Sequence, residues 1–263
     1  MTTTTSSLIE SPLDPSLAPY VIVFNSTGRL ALDTLVALQD GLGDYADPLL
    51  IEQAAVHLGV FNHEFRTATM AMAVGQETGI GEALTTELVV GAALHDVGKT
   101  HPAVLPLVDY PGYFNDQQRM RMGWHTALGG IDLRVRAHDL RDSNCYAEHL
   151  LTAAALVAES HHLYGMPLPR RVSIKEMWQT VMAITTQVTD NADALTTPSK
   201  ERAYRPARQR SGDGGRGGLA VLDDRLGSGF FGVRRTEKLP ILGISVQDIA
   251  AIALQAKRDT FQT

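Results

Sequence analysis

An ionisable pair, His95–Asp96, directly follows the apolar run LVVGAAL, Leu88 to Leu94, and this junction constrains the fold most strongly. An apolar run leads into a buried core, where charged side chains are rare unless they are paired or bind a metal. The chain must therefore carry a histidine and a carboxylate to the end of a buried segment and satisfy them there. Their partners have to come from other parts of the sequence.

Helical periodicity dominates the sequence from Asp47 onward, whereas alternating strand patterns are few. Glycines and prolines interrupt the periodicity at intervals, as they do between helices. Helices are predicted at about 48–58, 62–79, 81–98, 115–136, 146–163 and 173–196, with a final helix near Ser245 to Lys257. The expected fold class is all-α.

The sequence divides into three parts. Residues 1–45 form an N-terminal tail and extension, which begins with a Thr/Ser/Pro-rich segment typical of disorder. Residues 46–206 form the helical domain. Residues 207–263 contain the end of a Gly/Arg-rich loop, 201–218, and a C-terminal helix, and we expect this last part to be loosely attached.

Composition excludes several classes of function. A net charge of −6 argues against a general binder of long nucleic acid, which needs a basic surface. The single cysteine, Cys145, excludes an internal disulfide and argues against a cysteine-based zinc site. The sequence contains no apolar run of about 18 residues and no secretory signal, so we expect a cytoplasmic protein without a membrane span.

Candidate partners for the His–Asp pair recur along the helical domain: His63, His125, His161, His162 and Asp190. The gaps between successive groups are 28 to 36 residues, about one helix and its connection, and helical bundles assemble metal sites in this way. Asp193, on a similar helix face, is the alternative to Asp190. Imidazoles and carboxylates suit borderline divalent metals. Two metals bridged by one Asp can bind a phosphate and activate water.

HDVGK, around the His–Asp pair, resembles the signature of the HD superfamily of metal-dependent phosphohydrolases. The order of the candidate residues is similar to that of its HD-GYP branch, which includes bacterial phosphodiesterases that open cyclic di-GMP. HEFR resembles the first-histidine motif, and TDNADALTTPSKERAYR resembles the D-x-x-DAL…R-x-YR segment. The resemblance covers roughly residues 48–206 and implies an HD-domain helical bundle with a short N-terminal extension.

The resemblance also implies a dinuclear metal site. Its ligands would form two groups: His63, His95 and Asp190 for one ion, and His125, His161 and His162 for the other. Asp96 would bridge the two divalent ions, for which Fe or Mn is favoured, while Zn, Co and Ni also suit the ligands. Asp96 and Lys99 would be catalytic. Lys99, Arg66 and Arg205 would bind the phosphate charge of the substrate.

The sequence departs from the HD-GYP pattern in two places. Leu163 stands where the family usually has a glutamate, and only Tyr164-Gly165-Met166-Pro167 is left of the GYP loop, so the resemblance leaves the substrate open. Gly59 stands where some relatives have a further glutamate ligand. Two metal ions are therefore predicted, and not three.

The expected function is a dinuclear-metal phosphohydrolase, a phosphodiesterase that acts on a nucleotide or cyclic dinucleotide. Two alternatives remain open at this point: a mixed-valent di-iron oxygenase with the HD fold, and a catalytically inactive HD signalling or binding module. The expected partner is a small phosphorylated or cyclic-dinucleotide substrate. A homodimer or a signalling protein partner is also compatible with the sequence.

Overall fold

Helices make up almost all of the regular structure in this computed structural model, which describes residues 56–110, 113–163, 165, 168, 172–197 and 216–261. Their bounds are α1 Leu58–Thr78, α2 Glu82–Leu94, a 3-10 helix Val97–Thr100, α3 Leu105–Val108, α4 Asp116–Leu140, α5 Cys145–Ser160, α6 Ile174–Thr196, α7 Arg216–Gly227 and α8 Val246–Phe261. One isolated antiparallel bridge, between Lys238 and Ser245, is the only β pairing in these residues. The all-α prediction is confirmed, whereas the N-terminal extension, 1–45, lies outside the described residues.

Local capping explains where two long helices begin. At α4 the Asn115 side chain accepts a hydrogen bond from the Gln118 backbone N–H at 2.8 Å, and the Gln118 side chain accepts one from the Asn115 backbone at 2.9 Å. Ser173 and Glu176 form the same reciprocal box at α6. Each such cap contributes about 1 kcal/mol to helix stability. The two boxes set the register of the helices that carry His125 and Asp190.

A tight turn makes α1 and α2 antiparallel. Gly79 ends α1 in the left-handed conformation, with φ 63°, and its N–H donates to the carbonyl groups of Gly75 and Gln76. Glycine adopts this conformation without steric penalty. Because the two helices run in opposite directions, the start of α1, with His63, lies beside the end of α2, with His95.

The C-terminal part of the chain belongs to the hydrophobic core. Val246, Ile249, Ala250 and Ala253 of α8 are buried in the same cluster as α6 residues such as Trp178. Our expectation of a loosely attached C-terminal portion is therefore wrong for residues 216–261. None of the described helices combines the length and the apolarity needed to cross a membrane.

The helices differ from the predictions by a few residues at several ends, and the short helix α3 was not predicted. Two differences bear on the core and on the candidate site. Helix α7 was not predicted, because its Gly- and Arg-rich start resembles a linker, although Leu222 and Leu226 are buried one turn apart. Helix α2 ends at Leu94, several residues before the predicted boundary, because the chain turns into the 3-10 helix there. This turn brings Gly98 against the backbone of α4, where a Cβ atom would lie 2.0 Å from the His125 carbonyl oxygen.

We expect Gly98→Ala to destabilise the protein by roughly 2–4 kcal/mol, because the clash is with backbone that cannot rotate away. The matched control is Gly123→Ala, an exposed glycine within α4, where a Cβ meets nothing within 4 Å. That change should stabilise the helix by about 0.5–1 kcal/mol through the conformational entropy of glycine. Urea unfolding measured by circular dichroism checks both values. Equal effects of the two variants would contradict the close contact.

Candidate metal centre

The structure brings the seven predicted metal ligands together in two groups. The first contains Asp96, His125, His161 and His162, and the second contains His63, His95 and Asp190. Within each group every residue offers one ligand atom, and these atoms lie within 4.8 Å of one another. The groups draw on α1, α4 and α6 and on the residues that follow α2 and α5.

Asp96 lies between the two groups and faces both. Its Oδ1 atom is 3.2 Å from His125 Nε2 and 3.4 Å from His161 Nε2. Its Oδ2 atom is 3.5 Å from His95 Nε2 and 3.7 Å from His63 Nε2. One carboxylate oxygen is thus directed at each group, which is the arrangement that a bridging carboxylate requires.

Backbone contacts fix the orientation of three imidazole rings. The Nδ1 atoms of His95, His125 and His161 lie 2.8, 2.6 and 2.9 Å from the carbonyl oxygen three residues earlier in each case. A carbonyl oxygen can only accept a hydrogen bond, so Nδ1 carries a hydrogen, and in the neutral ring Nε2 then presents a lone pair. The second-shell hydrogen bonds of metal-bound histidines have this form.

The lone pairs converge in a way that suits a cation. His125 Nε2 and His161 Nε2 are 3.3 Å apart, and both face Asp96 Oδ1. His95 Nε2 is buried and has no hydrogen-bond partner among the described residues. Buried acceptors that face one another repel unless a cation lies between them. The residues present therefore fit divalent metal ions in both groups.

The protonation states match this use. Burial lowers the pKa of His95 to about 3, so its imidazole is neutral at physiological pH. Burial would raise the pKa of Asp96, but the neighbouring Lys99 ammonium and His95 hold it well below its usual value. Burial likewise opposes ionisation of Asp190, yet the hydrogen bond and charge of His63 lower its pKa. Metals bind neutral imidazoles and ionised carboxylates.

Asp193 contacts the His63 ring on the side that faces away from the candidate metal group. Asp193 Oδ2 lies 2.7 Å from His63 Nδ1, on the ring edge opposite the metal group. Asp190 Oδ1 lies 3.0 Å from His63 Nε2. The structure therefore places Asp190 among the candidate ligands and Asp193 in a supporting position, which distinguishes the two alternatives of the sequence.

The three predicted substrate-binding residues have different surroundings. Lys99 contacts Asp96 Oδ2 directly and is 15% exposed. Arg66 donates two hydrogen bonds to Asp193, at 2.7 and 3.0 Å, so its guanidinium is engaged in supporting the site, and its substrate role stays a prediction. Arg205 lies outside the described residues, as does most of the degenerate loop 164–167.

Two residues of the site were missed by sequence analysis. Glu64 is fully buried beside His63, and burial, followed by the charge of Asp96, raises its pKa well above the usual value. The sequence signal that could have identified Glu64 is the position of an acidic residue on the apolar side of a helix. Lys257 of α8 pairs with Asp193 at 2.8 Å. A single lysine in a C-terminal helix gives no comparable sequence signal, because most such lysines are solvated.

The chain belongs to the HD domain family. The family model of the HD domain matches residues 60–197, slightly more than half of the chain, and confirms the superfamily resemblance. No curated protein and no solved structure matches the chain significantly. Proteins of this family are generally metal-dependent hydrolases, and the buried His/Asp groups can hold metal. The HD-GYP branch stays a prediction.

Glu64→Gln should become more stable relative to the wild type as pH rises. The unfolded carboxyl has a pKa of about 4.3 and the folded pKa is higher, so the stability that protonated Glu64 contributes is lost above the unfolded value. The difference should grow by at most about 1.4 kcal/mol per pH unit. Urea unfolding of chelator-treated protein between about pH 4.5 and 7.5 measures it.

The exposed change Glu77→Gln, on the same helix, provides the baseline for this comparison. A difference between Glu64→Gln and the wild type that stays constant over the pH range would contradict a protonated Glu64.

Proposed function

We propose that this HD-domain protein is a dinuclear-metal phosphodiesterase that acts on a nucleotide or a cyclic dinucleotide. The observation that carries the proposal is Asp96, whose two oxygens face two separate groups of histidine lone pairs. The sequence pattern, with its paired histidines and its D-x-x-DAL segment, supports a phosphodiester as the substrate.

The residues would hold two divalent ions, with His63, His95 and Asp190 around one and His125, His161 and His162 around the other. Ions bound there supply Lewis acidity toward a phosphoryl oxygen and lower the pKa of a water molecule. Fe and Mn are the favoured metals, and the same ligands suit Zn, Co and Ni. The Nδ1 contacts already orient the rings of His63, His95, His125 and His161, so these four rings would need little rearrangement on binding.

Lys99 is the residue best placed to act on the substrate. Its ammonium contacts Asp96 Oδ2, where it neutralises the carboxylate, and part of its side chain reaches solvent. With that oxygen bound to a metal ion, the Lys99 ammonium could turn toward solvent. There Lys99 can orient a phosphate or donate a proton to the leaving oxygen.

Metal content should follow the two groups. The wild-type protein, reconstituted with Mn²⁺ or Fe²⁺, should contain two ions per chain, and Asp96→Ala should lose both. His161→Ala and Asp190→Ala should each lose mainly one, because each removes a ligand of a single group. Elemental analysis after gel filtration measures this, with His138→Ala, an exposed histidine, as the control. Near-zero metal in the wild type would contradict the dinuclear site.

Lys99→Met should keep both ions and lose turnover. We expect kcat to fall by about 10²–10⁴-fold, the range for general acid catalysis. Assays use bis(p-nitrophenyl) phosphate and cyclic di-GMP, with the exposed change Lys175→Met as the control. Hydrolysis of bis(p-nitrophenyl) phosphate without hydrolysis of cyclic di-GMP would support the phosphodiesterase proposal and exclude cyclic di-GMP as the substrate. Two bound ions without hydrolysis of any phosphoester would favour the oxygenase or the inactive binding module.

A further inference from the structure

The buried charge of Lys257 on α8 is the strongest unexplained feature of the molecule. The residue is 3% exposed and lies on the face of the helix that packs against the bundle. Lysine is almost never fully buried unless it is paired. Helix α8 also lies beyond the residues matched by the family model, 60–197, so nothing in that match accounts for it.

Lys257 is anchored at the C-terminal end of α6. Its Nζ lies 2.8 Å from Asp193 Oδ1, 2.6 Å from Thr197 Oγ1 and 3.0 Å from Thr196 Oγ1. The ammonium also donates to the Asp193 carbonyl oxygen at 3.3 Å. A cation at this end of a helix interacts favourably with its dipole. The two threonine hydroxyls and the backbone carbonyl thus hold the Lys257 ammonium against the Asp193 carboxylate.

The same carboxylate controls the orientation of a candidate metal ligand. Asp193 accepts from His63 Nδ1 on Oδ2, from Arg66 on both oxygens, and from Lys257 and Thr197 on Oδ1. Arg66 and Lys257 thus place two cations on this one buried carboxylate. A carboxylate that accepts from His63 requires a hydrogen on Nδ1, which leaves Nε2 as the His63 atom that faces the metal group.

We infer that Lys257 is a positioning residue for the metal group of His63, His95 and Asp190, so that the C-terminal helix is a working part of the metal centre. The inference rests on the proposed dinuclear site. Lys257 acts through two successive contacts: Lys257 pairs with Asp193, and Asp193 accepts a hydrogen bond from His63. The other metal group does not use these contacts. The Nδ1 atoms of its residues His125 and His161 donate to carbonyl groups of their own helices.

The test compares Lys257→Met with Arg258→Met, an exposed neighbour on the same helix. Chelator-treated protein is titrated with Mn²⁺, and the two binding steps are followed by calorimetry and by electron paramagnetic resonance. Loss of a second-shell partner weakens metal binding by about 10–100-fold. Because Lys257 acts through Asp193, we expect about tenfold weaker binding of one ion, with the other ion and the Arg258→Met protein unchanged.

A second readout does not depend on metal. In the chelator-treated wild type, the ¹⁵N resonances of His63, assigned by their absence in His63→Gln, should show a protonated Nδ1 that donates to Asp193. In Lys257→Met the Nδ1 resonance should shift, because Asp193 has lost one of the contacts that hold it against His63. If Lys257→Met fails to fold, Thr197→Val removes the hydroxyl between Lys257 and Asp193 without changing charge or shape. It should shift the same resonances and weaken the same ion by a smaller factor.

The outcomes separate the two proposals. A wild type that binds two ions, with Lys257→Met and Thr197→Val unchanged in affinity and in the His63 Nδ1 resonance, would overturn the role of Lys257 and leave the metal centre intact. Equal weakening of both ions would also overturn it, since the effect would not be specific to one group. A wild type that binds no ion would overturn the proposed function, and this inference with it.

Discussion

The position of Asp96 is the constraint on which the rest of the site depends. The carboxylate is 1% exposed and is shared between two sets of nitrogen acceptors, so each neighbouring element has to bring a hydrogen-bond donor or leave room for a cation. Its place is set by backbone contact: Gly98, two residues on, lies against α4 with no space for a Cβ. The distance from Asp96 to His125 is therefore fixed by how closely two backbone segments approach.

The two groups differ in what holds their ligands. His125 and His161 donate from Nδ1 to carbonyl groups of their own helices, so their orientation depends on local helix geometry alone. His63 donates to Asp193, which in turn needs α6, Arg66 of α1 and Lys257 of α8. The second arrangement depends on tertiary packing. In the proposed metal centre, the affinity of this group would therefore depend on residues elsewhere in the chain.

Sequence analysis succeeded where one physical pattern dominated. Helical periodicity located the long helices, and the regular spacing of His63, His125 and Asp190 predicted residues that the structure brings together. It failed where a contact distant in sequence decides the outcome. The end of α2 depends on the approach of Gly98 to α4, and the burial of Lys257 depends on a carboxylate 64 residues away. Neither leaves a local pattern that a single sequence reveals.

With two divalent ions in place, the proposed site would suit an anionic substrate, although the chain carries a net charge of −6. Asp193 is matched by two cations, Arg66 and Lys257, and Glu64 is held in its protonated form by burial. Asp96 and Asp190 are then the ionised carboxylates of the ligand groups, and Lys99 already neutralises one of them. Two divalent ions would therefore leave an excess of positive charge in a poorly solvated site. A phosphodiester anion would balance that charge, whereas a neutral substrate would leave it uncompensated.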